Sequence, residues 1–386
     1  ADRFVQRISN LPRVPAMAVR NLGRRKGRNL VTVMAIGLAT AAFLAAQGTS
    51  MSVNQSIDNA YNVYDVDAWV WFNEPVGQGF AATLRSMPEV RAVEAWASSG
   101  ATIADTRMTM WGIPPDTSLY RYRLTAGRWF GDAEPEAAVL SSVFASANNL
   151  KVGDKVEVSV GSEDALMTVV GVVNDNAQGL QSSSKGKIFV PLDTAARLMH
   201  RSGAADFFSV RLDSSEPTHV EDVLAQMERK YHTLSPGMLA AYADKQSSLE
   251  ASKILTILLY AMTVIVAAIG GIGIANTLTL NVLERRREIG VMRSVGGRNS
   301  HLIQVFLTEA LVMGLGGFVV GVGIGYPLAR LLVYVMSTVL FPLDFVFPSE
   351  MVAGALGFTL LLTGAASIGP ALGAARLKVS YALRYE

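Results

Sequence analysis

A short charged run holds the residues of this chain whose types and spacing point most clearly to a function. It spans residues 284–298 and contains five arginines beside two glutamates, with Ile289 and Met292 among them. A few apolar side chains surrounded by charges are typical of docking, in which the apolar groups fill a groove and the charges lie at its rim. The chemistry that we expect here is recognition of a partner protein.

The sequence contains no recognisable catalytic constellation. It lacks the phosphate-binding G-x-x-x-x-G-K-[ST] loop, the H-E-x-x-H motif and the G-x-S-x-G motif. Its four histidines are dispersed, and the absence of cysteine excludes disulfides and thiolate metal sites. We therefore predict no catalytic residue, no metal site and no cofactor in this chain. The net charge of +2 gives no reason to expect nucleic-acid binding.

Apolar stretches must position the charged run. The two that flank it are each long enough to cross a bilayer core of about 30 Å as a helix. Basic residues precede the first stretch, fill the charged run and follow the last stretch, so the positive-inside rule places both termini and the run in the cytoplasm. We predict an α-helical membrane protein with four transmembrane helices, at residues 30–50, 251–283, 301–330 and 351–373.

A large domain is predicted between the first two crossings. Its strand-like and helix-like runs alternate along the chain, including a helical pattern at 77–87, which is typical of an α+β fold. Residues 49–64 and 238–253 contain no Gly or Pro, so we expect stalk helices at both ends of this domain. The remaining predicted segments are a cytoplasmic N-terminal segment at 1–29, the extracytoplasmic α+β domain at 51–250, a cytoplasmic coupling segment at 284–300, a short outer loop at 331–350 and a cytoplasmic tail at 374–386.

Glycines are spaced along the membrane helices at intervals that permit close packing. Gly317, Gly321 and Gly325 form two small-xxx-small steps in the third crossing, and Gly270 and Gly273 lie in the second. Such spacing lets two helix backbones approach each other within a bilayer. Two alternatives remain open, packing within one chain and a seam between two copies.

Two further features have both a functional and a structural interpretation. Glu309 lies about two turns into the third crossing, where an unpaired charge is costly. We expect an ion pair with Arg293, Arg298 or an N-terminal arginine, and the alternative is a proton or substrate path. The tryptophans could form a surface for an apolar cargo or a partner, or pack in the core of the domain. They are Trp69, Trp71, Trp96, Trp111 and Trp129.

The order of these features resembles the FtsX-like permease family, which includes the MacB-type transmembrane subunits of ABC systems. The resemblance rests on one helix, a large outer domain and three further helices, together with three motifs. The motifs are A-V-R-N-L-G-R-R-K-G-R at 18–28, R-E-I-G-V-M-R-S-V-G at 287–296 and A-L-R-Y-E at 382–386.

The resemblance implies a permease that works as a dimer, with a second copy or a paralogue, and with cytoplasmic ATPase subunits that bind ATP and Mg. Closure of the ATPases would be passed through the stalk helices to an outer domain with porter and Sabre-like parts. The residues implied in ATPase coupling are Glu288, Ile289, Gly290, Met292, Arg293 and Gly296. A periplasmic adaptor protein and membrane lipids are further expected partners.

Two functions are compatible with this resemblance. MacB-type proteins carry their ATPase before the first helix, and this chain does not, so we expect a separate ATPase subunit and no enzymatic activity here. The first function is a permease subunit of an ABC-type export or extraction system in the bacterial cytoplasmic membrane. The alternative is a regulatory mechanotransmitter that controls an envelope hydrolase or senses a peptide without transporting cargo.

Overall fold

The computed structural model describes residues 26–175, 186–294, 299–339 and 343–376. The chain divides into two compact units. The helical unit consists of the described parts of Ala1–Ser52, Lys253–Tyr334 and Phe345–Glu386, and the α+β unit consists of the described parts of Val53–Ser252 and Val335–Asp344. The predictions made for residues 1–25, Gly296, Arg298 and the tail from residue 377 lie outside the described residues.

Four of the helices in the described part of the chain are long and apolar enough to cross a membrane. In chain order the helices are α1 (Lys26–Asn62), α2 (Phe80–Arg85), α3 (Ser142–Ala147), α4 (Leu192–Leu198), α5 (Pro217–Tyr231), α6 (Ala241–Glu284), α7 (Arg286–Ser294), α8 (Asn299–Val339) and α9 (Glu350–Ala375). The four candidate spans are α1, α6, α8 and α9, and α1 and α6 each extend from the helical unit into the α+β unit.

Helix α1 is the most enclosed of these candidate spans. In its most apolar stretch 56% of the residues are buried inside the chain, against 22% in α6. Thr32 of α1 shares a 2.7 Å hydrogen bond with Thr277 of α6, and Thr40 shares one of 2.8 Å with Thr359 of α9. The small residues of α8 pack on its remaining face. The sequence builds this arrangement by placing small and hydroxyl side chains where helices must approach closely.

Ten strands form the sheet of the α+β unit. They are β1 (Ala68–Gly77), β2 (Val90–Ile103), β3 (Thr106–Ile113), β4 (Leu124–Gly127), β5 (Ala137–Ser141), β6 (Lys155–Val160), β7 (Glu163–Val173), β8 (Lys187–Pro191), β9 (Ala204–Leu212) and β10 (Pro236–Ala240). The strand order is β10-β1-β9-β2-β3-β8-β5-β7-β4, and β6 pairs with both β2 and β7.

The long strand β2 divides this sheet into two parts. Its first half pairs with β9, in an open part that also contains β1 and β10. Its second half pairs with β3, and the pairings continue through β8, β5, β7 and β6 back to β2 at Thr102 and Ser159. The second part is therefore a closed ring of six strands.

Two apolar cores lie on opposite faces of the open part of the sheet. Val70 and Phe72 of β1 belong to the larger core, together with residues of α2 and α5. Trp69 alternates with them and packs against a smaller, aromatic-rich core. This is the period of two that side chains follow along a strand. The segment that follows α1 packs against the smaller core.

Two element boundaries differ from the sequence-based expectations. Strand β1 continues past a register shift to Gly77, which pairs with Ala204, so α2 begins only at Phe80 and not at residue 77. The second stalk helix begins at Ala241 and not at 238, because β10 precedes it and pairs with β1. In both places pairing with a distant strand satisfies backbone groups that a helix would otherwise have used.

Candidate functional site

Residues Arg286–Ser294 of the charged run form a helix of their own, α7, directly after α6. Ile289 is 2% exposed and packs with Val282, Leu302 and Phe306 of the neighbouring helices. Gly290 is also buried, whereas Glu288 is exposed and Val291 is 50% exposed. Ile289 thus packs in the chain's own core. We had expected it to fill a groove on a partner protein. Among the described side chains of α7, Val291 is an apolar group that faces outward.

A network of charges lies at the base of α7. Arg28 of α1 donates to both carboxylate oxygens of Glu284, at 3.0 and 3.1 Å, and to Asn281 of α6 at 2.5 Å. Asn281 in turn donates to Glu309 of α8 at 3.1 Å. The guanidinium of Arg285, the residue before α7, lies 3.6 Å from the second oxygen of Glu309. Three membrane helices and the start of α7 are joined through these side chains.

Glu309 forms an ion pair within the described part of the chain. We expected Arg293, Arg298 or an N-terminal arginine, and among the described side chains Arg285 contacts Glu309. Arg298 and the side chain of Arg293 lie outside the described part of the chain. Arg28, an N-terminal arginine, is joined to Glu309 through Asn281. Glu309 is 1% exposed, so this pairing compensates a buried charge and the interpretation as an ion pair fits the geometry.

Three glycines of α8 lie against α1. A Cβ atom at Gly317 would lie 2.4 Å from Ile36, one at Gly321 would lie 2.5 Å from Thr40, and one at Gly325 would lie 3.0 Å from Leu44. Gly270 of α6 approaches the Ala35 carbonyl, at 3.3 Å for such an atom. At Gly273 nothing described lies within 4 Å. Gly317, Gly321 and Gly325 therefore pack within this chain, and of the five predicted packing glycines only Gly273 has nothing described within 4 Å.

The five tryptophans do not form one surface. Trp96 is fully buried and Trp129 is 7% exposed, both in the aromatic core. Trp69 and Trp111 are partly buried against the same core. Trp71 is 39% exposed and lies over Gly237 on the edge strand β10. For four of the five, packing in the domain accounts for the side chain.

The outer ends of α1 and α6 are joined to each other within the α+β unit. Three pairs of polar side chains connect them: Tyr61 donates to Asp244 at 2.8 Å, Lys245 lies 2.7 Å from Asp58, and Ser252 donates to Asn54 at 2.9 Å. Asp67 then completes the junction, since its carbonyl accepts the amide of Ala241, the first residue of α6, at 2.8 Å. The Asp67 carboxylate accepts from the Arg211 side chain and the Leu212 amide of β9.

A buried ion pair lies beside this junction, in the aromatic core. Lys187 at the start of β8 contacts Asp175 at 3.1 Å, and their side chains are 6% and 1% exposed. Lys187 also donates to the Tyr64 hydroxyl at 2.8 Å, and Tyr120 donates to Asp175 at 2.7 Å. The Lys187 ammonium lies 5.5 Å from the centre of the Trp111 ring. Two charges, two phenols and an aromatic face thus satisfy one another away from water.

Burial dominates the electrostatics of this cluster. It lowers the pKa of Lys187, against the opposing effect of Asp175, which raises it. Burial, and then the charge of Asp175, raises the pKa of Tyr64 and of Tyr120 well above its usual value of 10. Both phenols therefore stay protonated and donate hydrogen bonds over the whole physiological range.

Sequence reasoning singled out none of these four residues. One signal was available for Lys187, which begins the otherwise apolar strand K-I-F-V-P, where a charged side chain requires a partner. The identity of that partner was not available, because Asp175 reaches it only through the pairing of β5 with β7 and β8. Tyr64 and Tyr120 meet through an isolated bridge between two loops, which no local pattern indicates.

These features define a membrane protein with four candidate spans and an α+β domain between the first and second. Two family models match the chain, the MacB-like periplasmic core domain over residues 30–230 and the FtsX-like permease C-terminal region over residues 260–379. The first covers more than half of the 386 residues, and the chain therefore belongs to the FtsX-like, MacB-type permease family. The α+β unit is accordingly its extracytoplasmic domain.

Individual relatives are distant. The macrolide export ATP-binding/permease protein MacB of Shewanella sp. (strain ANA-3) is 24% identical over 356 residues, which cover 84% of this chain and 53% of that protein. An uncharacterized ABC transporter permease of Methanocaldococcus jannaschii is 25% identical, over 69% of this chain and 66% of its own length. The periplasmic region of MacB from Actinobacillus actinomycetemcomitans is 15% identical, with a TM-score of 0.36 over 50% of this chain and 96% of that one. This chain spans about half the length of the Shewanella MacB that it matches.

Proposed function

We propose that this chain is the transmembrane permease subunit of an ABC-type export or extraction system. A separate ATPase subunit, which binds ATP and Mg, docks on α7 from the cytoplasm, where both termini also lie. Its nucleotide-driven movement passes through the membrane helices to the extracytoplasmic domain. The observation that carries the proposal is the charged network that joins the base of α7 to α1, α6 and α8.

The backbone reinforces this connection between α6 and α7. The Arg285 amide donates to the Asn281 carbonyl at 3.2 Å, and the Arg285 carbonyl accepts from the Ile289 amide at 2.9 Å. The chain therefore enters α7 without a flexible loop. Separating the buried Glu309 from its cation is costly. A displacement of α7 should therefore carry α8, and through Asn281 also α1, along with it.

The exposed side of α7 supplies the docking surface in this proposal. Ile289 fixes the helix to the chain's own core, which leaves Val291 as the apolar contact and Glu288 as a polar contact at its edge. Met292, Arg293 and Gly296 remain proposed members of the same surface. A helix that is anchored on one side and exposed on the other can be displaced by a docked ATPase without separating from the membrane helices.

Helices α1 and α6 are suited to carry the movement outward. Each is continuous over 37 and 44 residues, respectively, and neither contains proline, whereas α8 and α9 contain Pro327 and Pro370. Proline is the commonest cause of a kink, so α1 and α6 are the stiffer pair. Their outer ends are also the ones that join the extracytoplasmic domain.

A second copy of the chain, or a paralogue, belongs to the proposed assembly. The outward face of α6 is apolar and exposed, with Ile265, Ile269 and Ile272 between 61% and 70% exposed. Gly273 lies beside them with open space before it. Close approach of two α6 helices along this face is what such a small residue permits. A periplasmic adaptor and membrane lipids are the remaining proposed partners.

The names of the relatives favour export over the regulatory alternative. One is named for macrolide export, and a Pseudomonas syringae protein, 31% identical over 54% of this chain, is named for syringafactin export. Both names also contain "ATP-binding/permease", which supports a nucleotide-driven system. In this proposal the bacterial cytoplasmic membrane is the site of action.

The test is purification of the tagged full chain from its host in mild detergent, followed by measurement of ATP hydrolysis in the complex. We expect a bound ATPase whose hydrolysis is coupled to this chain. Glu288→Lys and Val291→Asp should each change that rate several-fold and leave the melting temperature of the chain unchanged, because both side chains are exposed.

Glu350→Lys is the matched control, since it makes the same charge change at an exposed position of a different helix. Its hydrolysis rate should equal that of the wild type. The proposal is wrong if no ATPase is retained by the chain, or if both α7 variants hydrolyse ATP as the wild type does.

A further inference from the structure

The segment that follows α1 enters the six-strand ring through a small set of directional contacts. Its residues 63–65 pair with residues 119–121: the Asp65 amide donates to the Leu119 carbonyl at 2.8 Å, and the Arg121 amide donates to the Val63 carbonyl at 2.7 Å. Between these two bonds the Tyr64 side chain points into the aromatic core. Tyr64 stands two residues beyond Asn62, where α1 ends.

Tyr64 is held there by charge as well as by packing. Its hydroxyl accepts from Lys187 at 2.8 Å and faces the Asp175 carboxylate at 3.5 Å. Lys187 begins β8 and Asp175 follows β7, so both belong to the ring. Tyr120 supplies a second phenol to Asp175 from the loop after β3.

We infer that Tyr64, Tyr120, Asp175 and Lys187 form an anchor that fixes the outer end of α1 to the six-strand ring, and that they act as positioning residues for transmission through α1. This inference rests on the proposed function, in which α1 carries movement outward. Aromatic contacts alone resist separation but allow one ring to slide over another. The hydrogen bonds to a buried ion pair are directional, so they fix Tyr64 at one position.

The anchor differs from the second connection of α1 to the domain. That connection runs through Asp67 to β9 and to the start of α6, in the open part of the sheet. The anchor reaches the ring instead. With both connections intact, a displacement of α1 reaches both parts of the domain. Without the anchor, the pairing of residues 63–65 with residues 119–121 remains, but Tyr64 is no longer fixed to the ring.

Removal of both charges separates anchoring from folding. Lys187→Met alone or Asp175→Leu alone leaves a buried charge without its partner and should destabilise the domain. The double variant Lys187→Met/Asp175→Leu leaves no such charge, and replacement of a buried pair by apolar residues is often neutral for stability. Tyr64→Phe is the milder variant, since it removes one hydroxyl and keeps the ring.

Tyr122→Phe is the matched control. Tyr122 belongs to the same aromatic core and stacks on Trp129 at 4.2 Å. In the described part of the chain its hydroxyl makes no hydrogen bond. Loss of this hydroxyl should therefore have no effect on the anchor.

The experiment measures the distance between two spin labels in the full chain. The chain has no cysteine, so Gln55→Cys on α1 and Lys151→Cys before β6, both exposed, can be labelled alone. We expect a narrow distance distribution in the wild type and in Tyr122→Phe. In the double variant and in Tyr64→Phe the distribution should broaden about twofold, while the melting temperature of both stays within about 3 °C of the wild type.

If the four residues have a purely structural role, every variant that folds should keep the width of the wild-type distance distribution. That result would overturn the inference. If the double variant does not fold, the comparison of Tyr64→Phe with Tyr122→Phe decides in the same way. Because this measurement needs no ATPase, its outcome is independent of the coupling test above. A failed coupling test removes the proposed function but leaves the anchor measurable.

Discussion

Glu309 is the residue on which the connection between α7 and the membrane helices depends. Its carboxylate is buried and contacts Asn281 with one oxygen and Arg285 with the other. Arg28 and Glu284 extend the same network to α1. A network of this kind stabilises only when every member has its partner, because each unpaired charge would face a low dielectric.

Replacement of Glu309 should therefore have a large effect on the helical unit. Glu309→Leu leaves Arg285 without its buried partner, and we expect it to lower the free energy of unfolding by about 3–5 kcal/mol. The free energy of unfolding can be measured by unfolding the full chain in detergent and monitoring its helix content by circular dichroism. Thr308→Val at the neighbouring, partly buried position serves as the control. A Glu309→Leu protein as stable as this control would show that the network does not hold the helices.

Tyr64 and Tyr120 should give the extracytoplasmic domain a specific response to alkaline pH. Burial and the nearby Asp175 charge raise the pKa of both phenols well above 10. The unfolded chain releases these protons near pH 10, whereas the folded chain retains them. The stability that they contribute is therefore full below pH 10 and is lost as the pH rises from there through the raised pKa.

Tyr64→Phe removes one of these two groups. We expect the melting temperature of the full chain to fall less steeply between about pH 9 and pH 11 in this variant than in the wild type. Differential scanning fluorimetry across that range is sufficient. Parallel curves for the two proteins would contradict the assignment of a raised pKa to Tyr64.

At the scale of single residues, the sequence predicted that charges would need partners but did not identify the partners. Glu309 was expected to form an ion pair because it lies in an apolar stretch, and it does so with Arg285. The choice of Arg285 depends on how the chain leaves α6, which hydropathy does not describe. Lys187 and Asp175 lie in neither a motif nor a periodic pattern, and only the order of strands β5, β7 and β8 brings them together.

At the scale of elements, packing of α8 against α1 is the most sharply testable feature. Gly321→Val should destabilise the helical unit by about 1–3 kcal/mol, because a Cβ atom at this position would lie 2.5 Å from Thr40. Gly323→Val, two residues further on, is the control, since nothing described lies within 4 Å there. Thermal unfolding in detergent compares them. Equal melting temperatures would mean that α8 does not pack on α1 through this face.

The sequence predicted elements well where a pattern is long and local. The apolar stretches appear as α1, α6, α8 and α9, and the charged run appears as α7. The short strands β4 and β10 were not predicted, because neither shows alternation over enough residues to be recognised. Their existence depends on pairing with β7 and β1, which are distant in sequence. The long helices could therefore be predicted from local sequence patterns. The edge strands of the sheet could not, because they form only through tertiary pairing.

At the scale of the whole molecule, the proposed transmission follows one path of contacts. It begins at the exposed side of α7, passes through the Arg285–Glu309–Asn281–Arg28 network and continues along α1. It ends where Tyr64 meets Lys187 and Asp175. Family membership supplies the expectation of an ATPase at one end. In the proposed function this path carries the movement of α7 outward.

The most direct test measures whether ATP moves the extracytoplasmic domain. A spin label at Lys151→Cys in the assembled complex reports the distance between two copies, with and without ATP. We predict a nucleotide-dependent change of this distance in the wild type and its loss in Glu288→Lys. An unchanged distance in the wild type on addition of ATP, or an equal change in Glu288→Lys, would contradict the claim that α7 drives the outer domain.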